Sequence, residues 1–362
     1  MKQTKSTNVK NYYGAANTCD GFYSLFAEIF SPETIKTIYI LKGGPGCGKS
    51  TLMKKISDHA VKEGYSVENF YCSSDPDSFD GVIIKELSVA VLDGTSPHTL
   101  DPKYPAVCEN IINLGVAWDT EKALSIGKDV RTLSKQKKKA YDKAYAYLSS
   151  CHGALSVIER CMQSYLLEDK MCRAIERLAS RIKFKSGKGD IRCLFTDCVS
   201  SKGNIHLDTF EKHSETRYFI KDFAGIMPKY MEFLANELTS RGADITLARD
   251  PVNTRYIRGI YIADSDISFT VYDDEFARKL DLKQQPYKII NMARFCDTDI
   301  YRCQKSIVRY AEKAYDTLYN GAIRELQAAS QLHSDIEKLY YTVTDYSVVE
   351  KITEELIHKL FR

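Results

Sequence analysis

Long apolar runs are missing from this 362-residue chain; none approaches the ~20 residues that span a bilayer. The first eleven residues, Met1 to Asn11, are polar and hold no apolar signal core, so no secretion signal is expected. A strong charge of one sign is missing too. The net charge of +3 gives no overall pull toward nucleic acid or acidic membranes. The 11 cysteines contain no Cys-x-x-C pair. Their odd number in a long chain argues against a disulfide framework and for reduced thiols in the cytosol. Proline is absent, and glycine scarce, from Thr120 to Phe184. That absence removes the usual helix breakers, and Leu155, Ile158, Met162, Tyr165, then Cys172, Ile175, Ala179 and Ile182 keep the 3/4 spacing of amphipathic helices. Four lysines there (135, 137, 138 and 139) read as a solvated face.

What is present supplies ample core: 44 % of residues are hydrophobic, and the length suits two domains of about 180 residues. The most specific feature is Gly43-Gly44-Pro45-Gly46-Cys47-Gly48-Lys49-Ser50-Thr51, which fits the phosphate-loop pattern G-x-x-x-x-G-K-[ST] at every fixed position. Its context agrees. A β-branched and aromatic strand, Thr37 to Leu41, precedes it, and a helical pattern from Ser50 to Glu63 follows, stopped by Gly64. The glycines let backbone N–H groups approach phosphate oxygens, and the helix N-terminus adds partial positive charge. Lys49 is expected on the β- and γ-phosphates and Ser50 on Mg²⁺, with Thr51 following into the helix. Cys47, beside Lys49, would have a lowered pKa and be oxidation-sensitive; a small residue tolerated at a free position is the plainer reading.

A second reading concerns repetition. Ile111-Ile112-Asn113 returns as Ile289-Ile290-Asn291, and the same offset carries Asp119-Thr120 onto Asp297-Thr298 and Ile158-Glu159 onto Ile336-Glu337. The chain reads as two tandem copies of one unit. In the second copy the glycine loop has decayed to Asp222-Phe223-Ala224-Gly225-Ile226-Met227-Pro228-Lys229-Tyr230. Pro228 stands for Lys49, and Asp222 would repel phosphate, so this copy is expected to keep the fold without binding nucleotide.

Magnesium needs a second anchor. Asp93 ends the apolar strand Ser88 to Leu92 and would hold a metal-bound water beside Ser50; an acid merely closing a strand before the Gly94 turn is the alternative. Gly94 stands where many ATPases carry a catalytic acid. The loop Cys72-Ser73-Ser74-Asp75-Pro76-Asp77-Ser78-Phe79-Asp80 follows the second strand, and loops at strand C-termini face ligands. Asp75, Asp77 and Asp80 are therefore candidates for general base or metal ligand, against the plain reading of an acidic turn. Thr95, Ser96 and His98 are candidate γ-phosphate sensors, with an exposed loop histidine the commoner case. The second copy carries Arg249, Arg255 and Arg258 near the equivalent places, Arg258 at that of Asp80. If the copies pack face to face, one of these would serve as an arginine finger.

On these residues the chain resembles the P-loop NTPase superfamily. The segments Lys42 to Met53, Cys72 to Ser78, Asp93 to His98 and Asp101 to Pro105, with Ile111 to Gly115, are similar to a little-studied group of tandem P-loop ATPase-like proteins of clostridia and bacilli. That resemblance implies ATP binding and hydrolysis, and no known substrate. Members of the group usually keep a second intact-looking loop, from which this sequence departs. The expected fold is α/β: tandem duplicated P-loop NTPase-like domains, each a mostly parallel sheet flanked by helices with a C-terminal helical hairpin. The expected domains are 1–185, with a helical block at 120–184, and 191–362, with a helical block at 297–362. The expected function is Mg²⁺-dependent ATP binding and hydrolysis in the first half, coupled to an unknown partner, a protein among the possibilities, or to an unknown process. A nucleotide-dependent switch with little turnover and a small-molecule or nucleotide kinase are the alternatives.

Overall fold

The apolar strands and the proline-free stretches organise the chain into two similar halves. The computed structural model describes residues 9–184, 187–272 and 287–362. The first half opens with β1 (Val9–Tyr13), the hairpin β2 (Ala15–Thr18) and β3 (Gly21–Ser24), and the one-turn helix α1 (Phe26–Ile29). Residues Asp20–Ile29 do not form one continuous helix. Instead Gly21, at φ 98°, turns the chain into a hairpin, and only the last residues are helical. Then come β4 (Thr37–Lys42), α2 (Lys49–Lys62), β5 (Val67–Tyr71), β6 (Phe79–Ile84), β7 (Val89–Asp93) and β8 (Glu109–Asn113). The helices α3 (Thr120–Tyr165) and α4 (Glu168–Ala179) close this half.

The second half repeats the plan: β9 (Ile191–Leu194), hairpin β10 (Asp197–Ser200) and β11 (Gly203–His206), α5 (Thr209–Lys212), β12 (Thr216–Lys221), α6 (Met227–Ser240), β13 (Ile245–Arg249), β14 (Ile257–Ile262), β15 (Ile267–Val271) and β16 (Tyr287–Asn291). It ends with α7 (Thr298–Tyr341) and α8 (Tyr346–Leu360). Asp273, read as the end of a strand, lies outside the described residues.

Each half holds a six-stranded mixed sheet flanked by helices. The order is β1-β5-β6-β7-β4-β8 in one and β9-β13-β14-β15-β12-β16 in the other, the same topology twice. Five strands of each run parallel, and β6 or β14 alone runs against them. Even the irregularities match: the register slips between Phe70 and Tyr71 and between Ala248 and Arg249.

The helical blocks do not fold back as hairpins on their own halves. Helix α3 has 46 residues and α7 has 44, so each is about 65–70 Å long. They pack along each other. Small residues on both, Ala140, Ala144, Gly321 and Ala322, permit the approach, with the Tyr147 ring over Gly321. Each helix starts beside its own sheet, capped by Asp119 or Asp297, and ends at the other. Leu166 bridges to Cys296 at one end, and Trp118 to Thr344 at the other. The short helices are thereby exchanged: α4 packs on α6, and α8 packs on α2. Met171, Ile175 and Ala179 join the core around Met231 and Leu234, while Leu356 joins the core around Leu52, Met53 and Ile56. Asp345 caps the start of α8, accepting from the Ser347 N–H at 2.9 Å, while Glu350 pairs with Lys55 of α2.

A third cluster joins the two sheets, with Tyr12, Phe30 and Phe70 against Phe195, Phe210 and Tyr261. Glu68 takes a two-pronged bond from Arg192 at 2.9 and 2.7 Å. Burial pushes its carboxyl up, but Arg192 and Lys85 outweigh it and hold it below the usual carboxylate range. Among the described residues no helix is long and apolar enough to cross a membrane.

Candidate functional site

Parallel strands β4 and β7 are neighbours, so the glycine loop after β4 and Asp93 at the end of β7 come out side by side at one sheet edge. Gly46 and Gly48 hold positive φ, 68° and 87°, which a side-chain-bearing residue adopts only under strain. Gly48 is the residue before α2, so Lys49 and Ser50 form its first turn. The Lys49 ammonium donates to the carbonyls of Gly43 (2.7 Å) and Gly44 (2.9 Å) and lies 3.5 Å from Asp93. Both side chains are largely buried, at 11 % and 15 % exposure. Burial pushes the Asp93 carboxyl above the usual range, and Lys49 opposes that push. Thr95 fixes the carboxylate by donating its N–H and its hydroxyl, at 2.8 and 2.5 Å. The Ser50 hydroxyl accepts from the Phe79 N–H at 2.9 Å.

Several candidates fall elsewhere than expected. The Cys47 side chain is buried, and burial raises its thiol pKa more than Lys49 lowers it. This fits the plainer reading of Cys47 as a small residue tolerated in the loop. Asp77 is exposed and pairs with Lys202, on the turn between β10 and β11. Asp75 accepts from the Ser78 hydroxyl and stands near the mouth of the loop, where its charge reaches His333 and Glu337. His98 is buried against Asp80, its Nε2 2.9 Å from the carboxylate, and its ring stacks on Phe26. Burial works against its charged form, but Asp80 outweighs that and raises its pKa. The arginine-finger idea finds no support in these positions. Arg258 is held by Asp197 (3.5 Å) and Asp250 (3.9 Å) of its own half, and Arg249 lies on Cys193. Arg255 is exposed.

Sequence reasoning missed the residues that cover the loop, because most of them arrive from the end of α7 and the start of α8, far away in the chain. The Tyr341 ring lies against Gly46, those of Trp118 and Tyr340 against Gly44, and Val349 against Gly48. The Gly46 amide favours the charged form of the nearby Glu337 carboxylate, and the Tyr346 hydroxyl donates to the Gly46 carbonyl at 2.7 Å. Burial and then Asp75 raise the Glu337 pKa. His333 is held neutral, its pKa pushed down to about 4 by burial and by Lys137, whose Nζ lies 3.2 Å from it. Lys137 is thus not part of a fully solvated lysine face.

The second loop has the same place and a different filling. Asp222 turns its carboxylate back into the loop and accepts from the N–H groups of Gly225 (3.2 Å) and Met227 (2.8 Å). From outside, Ile158 of α3 presses on Gly225, and the Tyr165 hydroxyl donates to the Ala224 carbonyl at 2.7 Å. Lys229 pairs with Glu232 and lies over the Phe233 ring.

Against known proteins, residues 17–83 match the family model described as Nephrocystin 3, N-terminal. The matched stretch runs from β2 to β6 and contains the glycine loop, well under half of the chain. No curated protein and no solved structure matches.

Proposed function

We propose that the first half binds a nucleoside triphosphate, ATP, with Mg²⁺ at the Gly43–Thr51 loop and hydrolyses it, while the second half binds none. The observation that carries this reading is the pairing of Lys49 with Asp93, 3.5 Å apart, at the neighbouring ends of two parallel strands above a helix N-terminus. Those residues fit the group. Two left-handed glycines leave room for phosphate oxygens beside main-chain amides, and Lys49 supplies a compact cation. Ser50 and Asp93 offer the oxygen donors that a hard dication takes. Magnesium, when bound, would neutralise phosphate charge. Lys49 would exchange the carbonyls of Gly43 and Gly44 for phosphate, and Asp93 would orient the metal's water.

Thermal unfolding with and without magnesium-ATP tests the reading. Lys49→Ala is expected to abolish the nucleotide-dependent rise in Tm, and Lys229→Ala to leave it intact. The reverse pattern overturns the assignment of the working half. Phosphate release by the wild-type chain tests hydrolysis.

One observation favours a second reading, a nucleotide-dependent switch with slow turnover. Glu337, Tyr341 and Tyr346, which cover the loop, belong to the other half. A triphosphate that displaced Glu337 from the Gly46 amide would change how α7 ends on the first sheet. Hydrogen exchange at residues 333–349, compared between an unhydrolysable ATP analogue and ADP, separates the readings: a switch shows a large difference with little phosphate released.

A further inference from the structure

Beside the glycine loop lies a second cluster that the nucleotide reading does not use. Cys72 follows β5, Asp80 is on β6, and His98 lies in the loop after β7. The topology brings all three to the same sheet edge, with one ligand atom from each within 4.8 Å of the others. Asp80 and His98 are each 6 % exposed. The His98 Nε2 faces Asp80 at 2.9 Å, and its Nδ1 has no hydrogen-bond partner among the described residues. All of the ring's polar engagement there is with this cluster. The neighbouring Ser73 hydroxyl is likewise buried and unpaired among the described residues.

The duplicated half shows what kind of charge this position takes. The backbone turn is the same in both: the Cys72 N–H donates to the Ser78 carbonyl at 2.9 Å, and the Asp250 N–H to the Tyr256 carbonyl at 3.0 Å. Asp250 therefore stands at the place of Cys72, and Arg258 at that of Asp80. There the second half has built in a cation, the Arg258 guanidinium between Asp197 and Asp250. In the first half the guanidinium is gone, and a thiol, a carboxylate and an imidazole converge instead.

We propose that Cys72, Asp80 and His98 bind a transition-metal dication of the zinc class. One sulfur, one nitrogen and one oxygen suit zinc, which takes such ligands at about 2.0–2.3 Å and in three-ligand sites leaves a fourth position open. Tetrahedral ligands at that range are about 3.5 Å apart, so a cluster already within 4.8 Å needs only side-chain adjustment to close on an ion. Calcium and magnesium are disfavoured by the thiol and the imidazole.

The test uses the full chain, stripped of metal, in buffer free of magnesium and nucleotide, titrated with Co²⁺ alone. One equivalent is expected to bind with a near-ultraviolet thiolate-to-cobalt band, and one equivalent of Zn²⁺ to displace it. Cys72→Ala is expected to remove the band, and His98→Ala to weaken binding at least about tenfold. Cys303→Ala, an exposed thiol, and Lys49→Ala should leave both unchanged, which separates this site from the nucleotide reading. Alkylation of the wild-type chain, mapped by mass spectrometry, guards against a misfolded variant: Zn²⁺ should protect Cys72 and not Cys303. No cobalt uptake by the wild type, a band that survives Cys72→Ala, or equal alkylation of Cys72 with and without Zn²⁺ overturns the proposal.

Discussion

The two loops differ in where their anion comes from. In the second half Asp222 belongs to the loop itself and turns back onto the Gly225 and Met227 amides. In the first half the carboxylate beside the Gly46 amide is Glu337, brought from the other half on the end of a 44-residue helix. A carboxylate in the same loop is present at an effective concentration no soluble anion matches. One held at a helix end can be displaced by a ligand that binds more strongly. The coverings differ in the same sense. Ile158 and Tyr165 seal the second loop with an apolar contact and a buried hydroxyl, whereas Glu337, Tyr341 and Tyr346 leave partly exposed polar groups around the first. Equal topology thus carries one closed loop and one displaceable cover.

The largest effect expected from breaking this comparison is on the exchange of short helices. Leu356 is in the second half by sequence but fills the core of the first, 4 % exposed. Leu356→Ala should cost about 2–5 kcal/mol and expose the first half preferentially, read by urea unfolding with hydrogen exchange at α2. Met171→Ala is the mirror experiment, with a similar loss and protection lost at α6. If each substitution loosened its own half, the exchange would be wrong.

A smaller effect is expected at the second loop. Asp222→Ala leaves the Gly225 and Met227 amides without their acceptor, which should cost about 1–3 kcal/mol. Burial of the carboxylate offsets part of this, since it raises the Asp222 pKa. Chemical denaturation measures the loss, and the nucleotide-dependent change in Tm should be unaffected. A gain in stability would mean that the buried charge costs more than its bonds return.

Much of this was legible in the chain. The strand before Gly43, the helix after it and the apolar run ending at Asp93 are local patterns, and they stand within a residue or two of where periodicity put them. The repeat was legible because collinear matches such as Ile111-Ile112-Asn113 and Ile289-Ile290-Asn291 lie on equivalent edge strands, β8 and β16. The partners of the long helices were not legible. An amphipathic stripe states that a face is buried, not against what, and Ile158 at 3/4 spacing fits a hairpin as well as a bridge to the other sheet. For the same reason Glu337 could not be connected with Gly46. His98 was misjudged because its loop is polar, while its ring is buried by Phe22 and Phe26, distant in sequence. Asp222 was read as a group repelling phosphate; that it also replaces phosphate on the loop amides depends on a backbone geometry that no spacing reveals.

The finest test concerns Glu337, an acid beside the first loop, where Gly94 stands at the place of the expected one. It has two possible uses, and Glu337→Gln distinguishes them while keeping the side chain's shape. If Glu337 only stands beside the Gly46 amide until a triphosphate arrives, the substitution removes its charge from the unliganded form. At 32 % side-chain exposure that attraction is worth at most about 1 kcal/mol, so affinity for magnesium-ATP should rise by up to roughly fivefold with phosphate release little changed. If Glu337 stays and takes a proton from the attacking water, affinity should hold while phosphate release falls by two or more orders of magnitude, about the loss general-base removal brings. Burial and the nearby Asp75 charge already raise its pKa, which suits a base but equally makes the carboxylate easier to displace. Because a displaceable carboxylate is the better match to a loop whose duplicate carries a carboxylate on the amide equivalent to Gly46, the expected outcome is the first: tighter binding and steady turnover, measured by calorimetry and phosphate release on one preparation.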